Sequence, residues 1–421
     1  MINDAAVCEY ASGLNGGRKC HVEHETRIER ALIGHVNYHA RIRFNDGSPS
    51  WLIRVPRVAR FVLTPSSTRD YLMRSEYATL KFLETTAVPA PRAFGYGLRS
   101  DGSDKGVGVS FILMEELPGK PWHMAGPPDS SVATVAKQKF WSSVADIPAE
   151  LAKHPFPKAG SLTIGSNGLV EMGPVASERF VILDPYGRPF ESAADYYSAW
   201  AEQHMALIAD GQLYGAYPVE AYLVHSFLKD NVWQLVQEVD DDGGDDNGEG
   251  QGPEQFFLKH VDDPGHHLLV DDNYNITGII DWQMARVVPP REAFGPSLVT
   301  ADMQALCRNK QGLSGTRDLA LADALGELKG DSPELTRWWR DEKARRFFWG
   351  MAMEPAWSDA LDAAKGILEA FGVHQDWDDW RETALKEYSK TDRRLRRLKA
   401  IVKARSVRQS PYNLRSLGAE S

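Results

Sequence analysis

Residues 256–285, FFLKHVDDPGHHLLVDDNYNITGIIDWQMA, hold an unusual concentration of histidines and aspartates. Two apolar runs, HHLLV and NITGII, flank the polar sequence DDNYN, and this pattern predicts a short β-hairpin. One further aspartate, Asp281, ends the second predicted strand. Because a hairpin returns the chain to its starting point, Asp281 is expected to point back toward the loop before the hairpin. The stretch is then a metal-binding cluster, a solvated loop or two halves of one catalytic site.

The spacing of the acidic residues favours the catalytic site. His260, Val261 and Asp262 form an H-x-D sequence. His267 lies five residues after Asp262, and Asp281 lies nineteen residues after it. A loop of the form H-x-D-x-x-x-x-N, followed by a hairpin with a metal-binding aspartate, is typical of protein-kinase-like phosphotransferases. There, one carboxylate orients the attacking hydroxyl, and the other holds a divalent ion on the nucleotide phosphates.

The N-terminal part of the chain contains a matching cation and its acidic partner. The sequences YHARIRF and SWLIRV, joined by NDGSP, predict a hairpin within residues 33–55. The next segment, STRDYLMRSEYATLKFLE, predicts a helix with Ser67 or Thr68 as its N-cap. Glu76 falls in the apolar stripe of that helix, where an unpaired carboxylate would be costly. Arg54, in the strand WLIRV, is the expected partner of Glu76.

Length, composition and charge limit the class of protein. The chain has 421 residues, 43% of them hydrophobic and 25% charged, as expected for a globular protein with two lobes or domains. It contains no apolar run of about 18 residues and no signal-like N-terminus, so we expect no membrane span. Three scattered cysteines indicate a reducing, cytoplasmic location. The net charge of −10 argues against a nucleic-acid partner.

The charge is distributed unevenly along the chain. The segment 238–254 carries eight acidic residues and no basic one among glycines, and it predicts a disordered surface insertion. The segment 386–408 carries ten basic residues against two acidic ones. Its simplest interpretation is a C-terminal helix that docks through Leu395, Leu398 and Val402. A basic arm for an anionic partner is the alternative.

Several motifs occur in a fixed order along the chain: WLIRVPR, VPAPRAFGYG, FILMEELPG, the H-x-D loop and GIIDWQMA. In this order and spacing they resemble the aminoglycoside phosphotransferase and choline kinase-like family, in particular its fungal branch. The resemblance implies an α+β, two-lobe protein-kinase-like fold. In that fold a small antiparallel β lobe carries one helix, and the large lobe is mainly helical.

The resemblance also implies a domain organisation. Residues 1–30 are expected to form an N-terminal extension, residues 31–117 the N-lobe and residues 118–421 the C-lobe. The C-lobe would contain the catalytic loop 260–267, the metal hairpin 268–285, the acidic insertion 238–254 and the C-terminal helices.

Site residues and cofactors follow from the same resemblance. It implies an ATP-dependent phosphotransferase that acts on a hydroxyl group of a small molecule and uses Mg²⁺, with Mn²⁺ as the other option. Asp262 matches the catalytic base and Asp281 the metal ligand. The residues that match nucleotide-binding positions are Arg54 with its partner Glu76, Gly34 and Asn37 of the covering loop, and Glu115 and Leu117 of the hinge at 114–117.

The chain departs from the family pattern in the catalytic loop. Val261 stands where the family has Gly, and His267 stands where it has Asn. The covering loop keeps only Gly34 from a glycine-rich pattern. His267 is therefore expected to be a secondary metal or phosphate contact, although Mg²⁺ prefers oxygen ligands.

These departures leave two alternatives to a kinase. The protein could bind nucleotide or another ligand without transferring phosphate. It could also hold a transition metal with His260, His266, His267 and Asp262. Against the metal cluster, His266 and His267 are adjacent at a loop-to-strand junction, so their side chains are expected to point to opposite sides. The sequence identifies neither the acceptor nor the oligomeric state.

Overall fold

The computed structural model describes residues 2–24, 36–57, 64–122, 133–177, 187–236, 253–261, 266–295, 299, 316–328, 333–340, 343 and 357–408. The predicted site residues Gly34 and Asp262 lie outside these ranges, as does most of the acidic insertion 238–254.

The strands of the described residues form four antiparallel sheets. The largest has five strands in the order β1-β2-β3-β5-β4, and the others are β11-β10-β6, β12-β9 and β7-β8. In chain order the strands are β1 (Cys20–Glu23), β2 (Asn37–Phe44), β3 (Trp51–Pro56), β4 (Ala93–Gly97), β5 (Phe111–Glu115), β6 (Lys120–Pro121), β7 (Ser161–Ile164), β8 (Val170–Gly173), β9 (Phe257–Lys259), β10 (Leu268–Val270), β11 (Ile276–Ile279) and β12 (Arg286–Val288).

The described helices, in chain order, are α1 (Asp4–Leu14), α2 (Ser66–Leu83), α3 (Ala133–Leu151), α4 (Ala193–Ala209), α5 (Pro218–Asp230), α6 (Trp233–Val236), α7 (Pro290–Ala293), α8 (Thr316–Glu327), α9 (Pro333–Trp339), α10 (Trp357–Ala370), α11 (Trp377–Thr391) and α12 (Arg393–Arg408). Helices and antiparallel sheets together confirm the predicted α+β class.

The described residues fall into two compact units. The first comprises Met1–Glu191, Gly252–Thr300 and Thr316–Trp339, and it contains all the sheets. The second comprises Ser192–Gln251, Ala301–Gly315 and Arg340–Ser421. Among the described residues, no helix combines the length and the apolar character needed to cross a membrane.

The five-stranded sheet has one apolar face and one face that carries the predicted ion pair. Ile53 of β3 is fully buried in a cluster with Val7 and Ala11 of α1. Since successive side chains of a strand alternate between faces, the next residue, Arg54, points to the opposite face. There its guanidinium meets Glu76 of α2. Strand alternation therefore places Arg54 against α2 rather than in the apolar cluster.

Sequence reasoning predicted the main elements of this unit but missed several others. The β2–β3 hairpin, helix α2 and the β10–β11 hairpin all form as predicted. The predicted N-terminal extension supplies α1 and β1, and β1 pairs with β2 in the large sheet. The pairs β7–β8 and β9–β12 were not anticipated.

The predicted N-cap of α2 is wrong. The helix begins at Ser66, its N-cap is Pro65, and no side chain caps it. Thr68 lies inside the helix and is buried. The ring of Pro65 fixes its φ angle at a value that a helix start accepts, and the helix begins at the next residue, before either predicted hydroxyl.

The second unit is a bundle of helices. Tyr196 and Tyr197 of α4 are buried in it, as expected for core aromatics. Helix α12 contains most of the basic C-terminal segment, and its Leu395 and Leu398 are buried, which supports the docked-helix interpretation. Its Arg394 forms a 2.6 Å ion pair with Glu202 of α4.

Candidate active site

Asp281 follows strand β11 in a constrained backbone conformation. Its φ angle is +66°, in the left-handed region that side chains other than glycine rarely adopt. Aspartate tolerates this region better than most residues do. The next residue, Trp282, is buried, and its indole N–H donates to the carbonyl of Ile279 at 2.9 Å. The hairpin end is therefore held in one conformation, and such constraint is common at functional sites.

His260 supports the same turn from the preceding loop. Its Nε2 donates to the carbonyl of Ile280 at 2.9 Å, so the proton must be on Nε2. Its ring packs on the edge of Trp282, with centroids 4.7 Å apart. His260 thus positions the backbone next to Asp281.

Arg54 links α2 to the end of the β10–β11 hairpin. Its Nε lies 2.9 Å from Glu76 Oε1, and its Nη2 donates to Asp281 Oδ1 at 2.5 Å. Arg54 and Glu76 are each only 6% exposed, whereas Asp281 is 32% exposed. The predicted Arg54–Glu76 ion pair therefore forms, and Asp281 joins it with one side open to solvent.

This network changes the ionisation of all three groups. Burial would lower the pKa of Arg54, but the carboxylates of Glu76 and Asp281 raise it above its ordinary value. Burial would raise the pKa of Asp281, but Arg54 lowers it to about 2. Burial raises the pKa of Glu76 to about 7, with Arg54 opposing and the charge of Asp281 adding to the rise. The pKa of Asp281 therefore lies well below neutral, and that of Glu76 lies far above the usual range of a carboxyl group.

A neutral residue missed by sequence reasoning completes the network. Gln283 Oε1 accepts one hydrogen bond from Arg54 Nη2 at 3.1 Å and another from Asn37 Nδ2 at 2.9 Å. Arg54 Nη1 also lies 3.4 Å from His39 Nε2. Asn37, predicted as a phosphate contact, is thus hydrogen-bonded to Gln283, and its side chain is buried. The only sequence signal for Gln283 was its place two residues after Asp281.

His267 lies beside the metal-ligand candidate. Its Nε2 is 3.5 Å from Asp281 Oδ2, and its side chain is buried. The expectation that His266 and His267 point to opposite sides is wrong. Their rings are 4.0 Å apart at 69°, because the backbone at this junction is a turn rather than an extended strand. His266 is nevertheless exposed.

The predicted hinge lies against the β10–β11 hairpin. Strand β5 ends at Glu115, whose carboxylate pairs with Arg92 Nε at 3.2 Å. Leu117 packs so closely on Gly278 of β11 that a Cβ at that glycine would collide with its Cδ1. Thr277 donates its hydroxyl to the carbonyl of Pro118 at 2.6 Å. The hinge and the hairpin that ends at Asp281 therefore form one packed element.

The donor set suits a metal held jointly with phosphates. Within the described ranges, no three His, Cys, Asp or Glu side chains are arranged to hold a metal ion. Asp281 and His267 offer one carboxylate and one imidazole on the same side of the hairpin. Protein-bound Mg²⁺ often has only one or two carboxylates and takes its other ligands from water and phosphates. The residues present fit that pattern, and the imidazole favours Mn²⁺ over Mg²⁺.

These features define an α+β protein with a buried guanidinium–carboxylate network at the end of a hairpin. Residues 42–325, well over half of the chain, match the family model described as the phosphotransferase enzyme family, so the chain belongs to that family. The predicted resemblance and the general class of small-molecule phosphotransferase are thereby supported. The fungal branch stays a prediction.

Two solved structures resemble the chain at low identity. A type I macrolide 2′-phosphotransferase shares 15% identity, with 88% of this chain and 97% of that chain covered and a TM-score of 0.39. An ethanolamine kinase from Plasmodium vivax shares 11% identity, with 86% and 85% covered and a TM-score of 0.42. A comparison with curated proteins gave no significant match.

Proposed function

We propose that the protein transfers the γ-phosphoryl group of ATP to a hydroxyl group of a small molecule. The single observation that carries this proposal is the buried network of Arg54, Glu76 and Asp281 in a member of the phosphotransferase family. A buried arginine with two carboxylates, one of them open to solvent, suits a site that balances phosphate and metal charges. In this proposal residues 31–117 act as the N-lobe and residues 118–421 as the C-lobe.

In the proposed reaction the acceptor oxygen attacks the γ-phosphorus, and the bond to the β–γ bridging oxygen breaks. Asp262 accepts the proton of the acceptor hydroxyl, and ADP leaves. The position of Asp262, two residues after His260, supports this role, since His260 fixes the backbone next to Asp281. Both carboxylates would then serve one reacting centre.

Asp281, with His267 as a second contact, is the proposed site for Mg²⁺ or Mn²⁺. A bound divalent ion would neutralise charge on the nucleotide phosphates and orient them. The low pKa of Asp281, caused by Arg54 against the effect of burial, keeps this carboxylate ionised and available for a cation. Its 32% exposure leaves a route for the ion.

The remaining nucleotide contacts are proposed from their positions. Glu115 and Leu117 would present the backbone of the hinge to the adenine ring. Antiparallel pairing places Arg54 opposite Ile112, three residues before Glu115. At about 3.3 Å per residue, the hinge and Arg54 are separated by roughly 10 Å along the strand, a span suited to the base and the phosphates of one nucleotide. Gly34 would let the covering loop approach the phosphates.

Thermal-shift titration with ATP, with and without Mg²⁺ or Mn²⁺, tests the binding step before an acceptor is known. We expect ATP to raise the Tm of the protein more when a divalent ion is present than when it is absent. Phosphoryl transfer is then followed as ADP formation over a panel of small alcohols. Asp262→Ala should remove turnover and keep ATP affinity, because the base acts in the transition state. Failure of ATP to stabilise the parent under any metal condition would contradict the proposed function.

A further inference from the structure

Two donors from neighbouring strands converge on one oxygen atom of Gln283. Asn37 Nδ2, from β2, and Arg54 Nη2, from β3, donate to Gln283 Oε1 at 2.9 and 3.1 Å. Asn37 and Arg54 are both buried. Positioned donors that meet at one point, one of them charged, form the kind of site that binds an oxyanion.

Arg54 has no nitrogen that lacks a nearby acceptor. Its Nε is paired with Glu76, its Nη1 lies near His39, and its Nη2 is shared by Asp281 and Gln283. Both N–H groups of Nη2 are thus taken, so a phosphate oxygen can bond to Nη2 only by replacing Asp281 or Gln283. Removing a carboxylate from a buried guanidinium is costly, whereas Gln283 is neutral. Exchange of the amide carbonyl for a charged phosphate oxygen gives a stronger hydrogen bond and is the favourable exchange.

The size of the cavity beside this contact indicates that a phosphate replaces the Gln283 amide rather than binding next to it. The cavity bordered by Asn37, Arg54, Glu76 and Gln283 has a volume of about 20 Å³. That is room for one water molecule and too little for a phosphate group. Gln283 is only partly buried, so its side chain can swing toward solvent. A phosphate would thus enter where the Gln283 amide leaves.

We infer that Arg54 and Asn37 form a phosphate-oxygen site, and that Gln283 is a placeholder that nucleotide binding displaces. This inference deepens the proposed function and rests on it. It gives Gln283 a positioning role, because its carbonyl keeps the two donors aligned while the site is empty of phosphate. Because a polyphosphate must first displace Gln283, its apparent affinity for the protein is lower than it would be without this side chain.

The test measures binding of inorganic tripolyphosphate by titration calorimetry in the presence of a chelator, so that the result does not depend on a metal. Gln283→Ala removes the competing acceptor and leaves both donors, and we expect about fivefold tighter binding than in the parent, the effect of one hydrogen bond. Gln283→Glu keeps an acceptor of the same length and adds a charge that repels phosphate. We expect about tenfold weaker binding for that variant. Asn37→Ala in the Gln283→Ala background should abolish the gain.

Gln234→Ala is the matched control, because Gln234 is also held by a side-chain hydrogen bond, which it donates to Asn231 Oδ1 at 3.0 Å in the second unit. It should leave tripolyphosphate binding unchanged. Equal or weaker binding by Gln283→Ala, or binding by Gln283→Glu as tight as in the parent, would overturn the placeholder role. If Gln283→Ala does not fold, Gln283→Glu and the single variant Asn37→Ala decide, and each should bind tripolyphosphate more weakly than the parent. Failure of ATP to bind the parent, with these tripolyphosphate results intact, would count against the proposed function alone.

Discussion

Arg54 Nη2 lies 2.5 Å from Asp281 Oδ1, so a guanidinium on β3 holds the carboxylate that follows β11, 227 residues later. The same carboxylate is the proposed ligand of a divalent ion. A cation that binds Asp281 must compete with Arg54 or share the carboxylate with it. Because Asp281 has a second oxygen, which lies near His267, the two cations can be held on different oxygens.

Asp281→Asn is expected to abolish the metal-dependent stabilisation by ATP. The amide carries no charge for the ion, and it removes one carboxylate from a buried arginine. With ligand at 100 times its Kd, binding contributes about 2.7 kcal/mol to the free energy of unfolding, and the variant should lose this gain. The measurement is the shift in Tm on adding ATP and Mn²⁺ to parent and variant.

Asp272→Asn is the control for that experiment. Asp272 lies in the same hairpin, is 93% exposed and pairs with Lys120 at 3.0 Å. Its substitution should leave the metal-dependent shift in Tm unchanged. A full shift in Asp281→Asn would show that another group holds the metal.

The site residues that could be predicted from the sequence are the charged ones that the sequence pattern places in a buried position. Glu76 stands in an apolar helical stripe, and a buried carboxylate requires a cation, so Arg54 could be inferred from the sequence. Gln283 carries no charge, and its donor Asn37 lies 246 residues away, so no periodicity or charge balance pointed to their contact. Asp281 was assigned by its place at the end of an apolar strand. Its bond to Arg54 required the three-dimensional structure.

The elements of the fold that could be predicted are those with a clear pattern in the local sequence. Alternating apolar residues and turn residues predicted the β2–β3 and β10–β11 hairpins. The β9–β12 pair joins two three-residue strands that are separated in the chain by the β10–β11 hairpin, so no local turn pattern linked them. The N-cap of α2 was misjudged because three hydroxyl residues, Ser66, Ser67 and Thr68, follow Pro65, and only the backbone shows where the helix begins.

His267→Asn is expected to shift the metal preference toward Mg²⁺. The substitution replaces an imidazole near Asp281 with an amide oxygen, which Mg²⁺ prefers. We expect the ratio of the Mn²⁺-supported to the Mg²⁺-supported phosphoryl transfer rate to fall on the order of tenfold, a typical effect of changing groups around a metal. His266→Asn, at the exposed neighbouring position, should leave the ratio unchanged. Loss of a zinc-dependent activity in His267→Asn would instead favour the metal-cluster alternative.

Glu76 should make the stability of the protein depend on pH in an unusual direction for a carboxylate. Burial, against the opposing charge of Arg54, raises its pKa from 4.5 to about 7. The folded protein therefore binds this proton more tightly than the unfolded chain does. The contribution of Glu76 to the free energy of unfolding is fully present below pH 4.5 and is lost as the pH rises through 7. The loss relative to Glu76→Gln should be on the order of 3 kcal/mol.

Urea unfolding of parent and Glu76→Gln at several pH values between about 4 and 8 measures this effect. Glu387→Gln is the control, because Lys390 lowers the pKa of this exposed carboxylate and its contribution changes in the opposite direction. Parallel pH profiles for parent and Glu76→Gln would show that Glu76 stays ionised throughout and forms a simple ion pair with Arg54.

Gly278→Ala should destabilise the protein through the hinge. A Cβ at Gly278 would collide with Cδ1 of Leu117, and the Cβ and Cγ of Leu117 would lie only 3.3 and 3.4 Å away. Overpacking of this kind costs about 1–3 kcal/mol in the free energy of unfolding. Leu117→Ala removes the colliding atoms, so the double variant should recover about 1–2 kcal/mol relative to the sum of the single effects. Gly13→Ala, in α1 with no atom within 4 Å of the added Cβ, should be neutral or stabilising. Additive effects of Gly278→Ala and Leu117→Ala in the denaturation cycle would contradict the packed contact between hinge and hairpin.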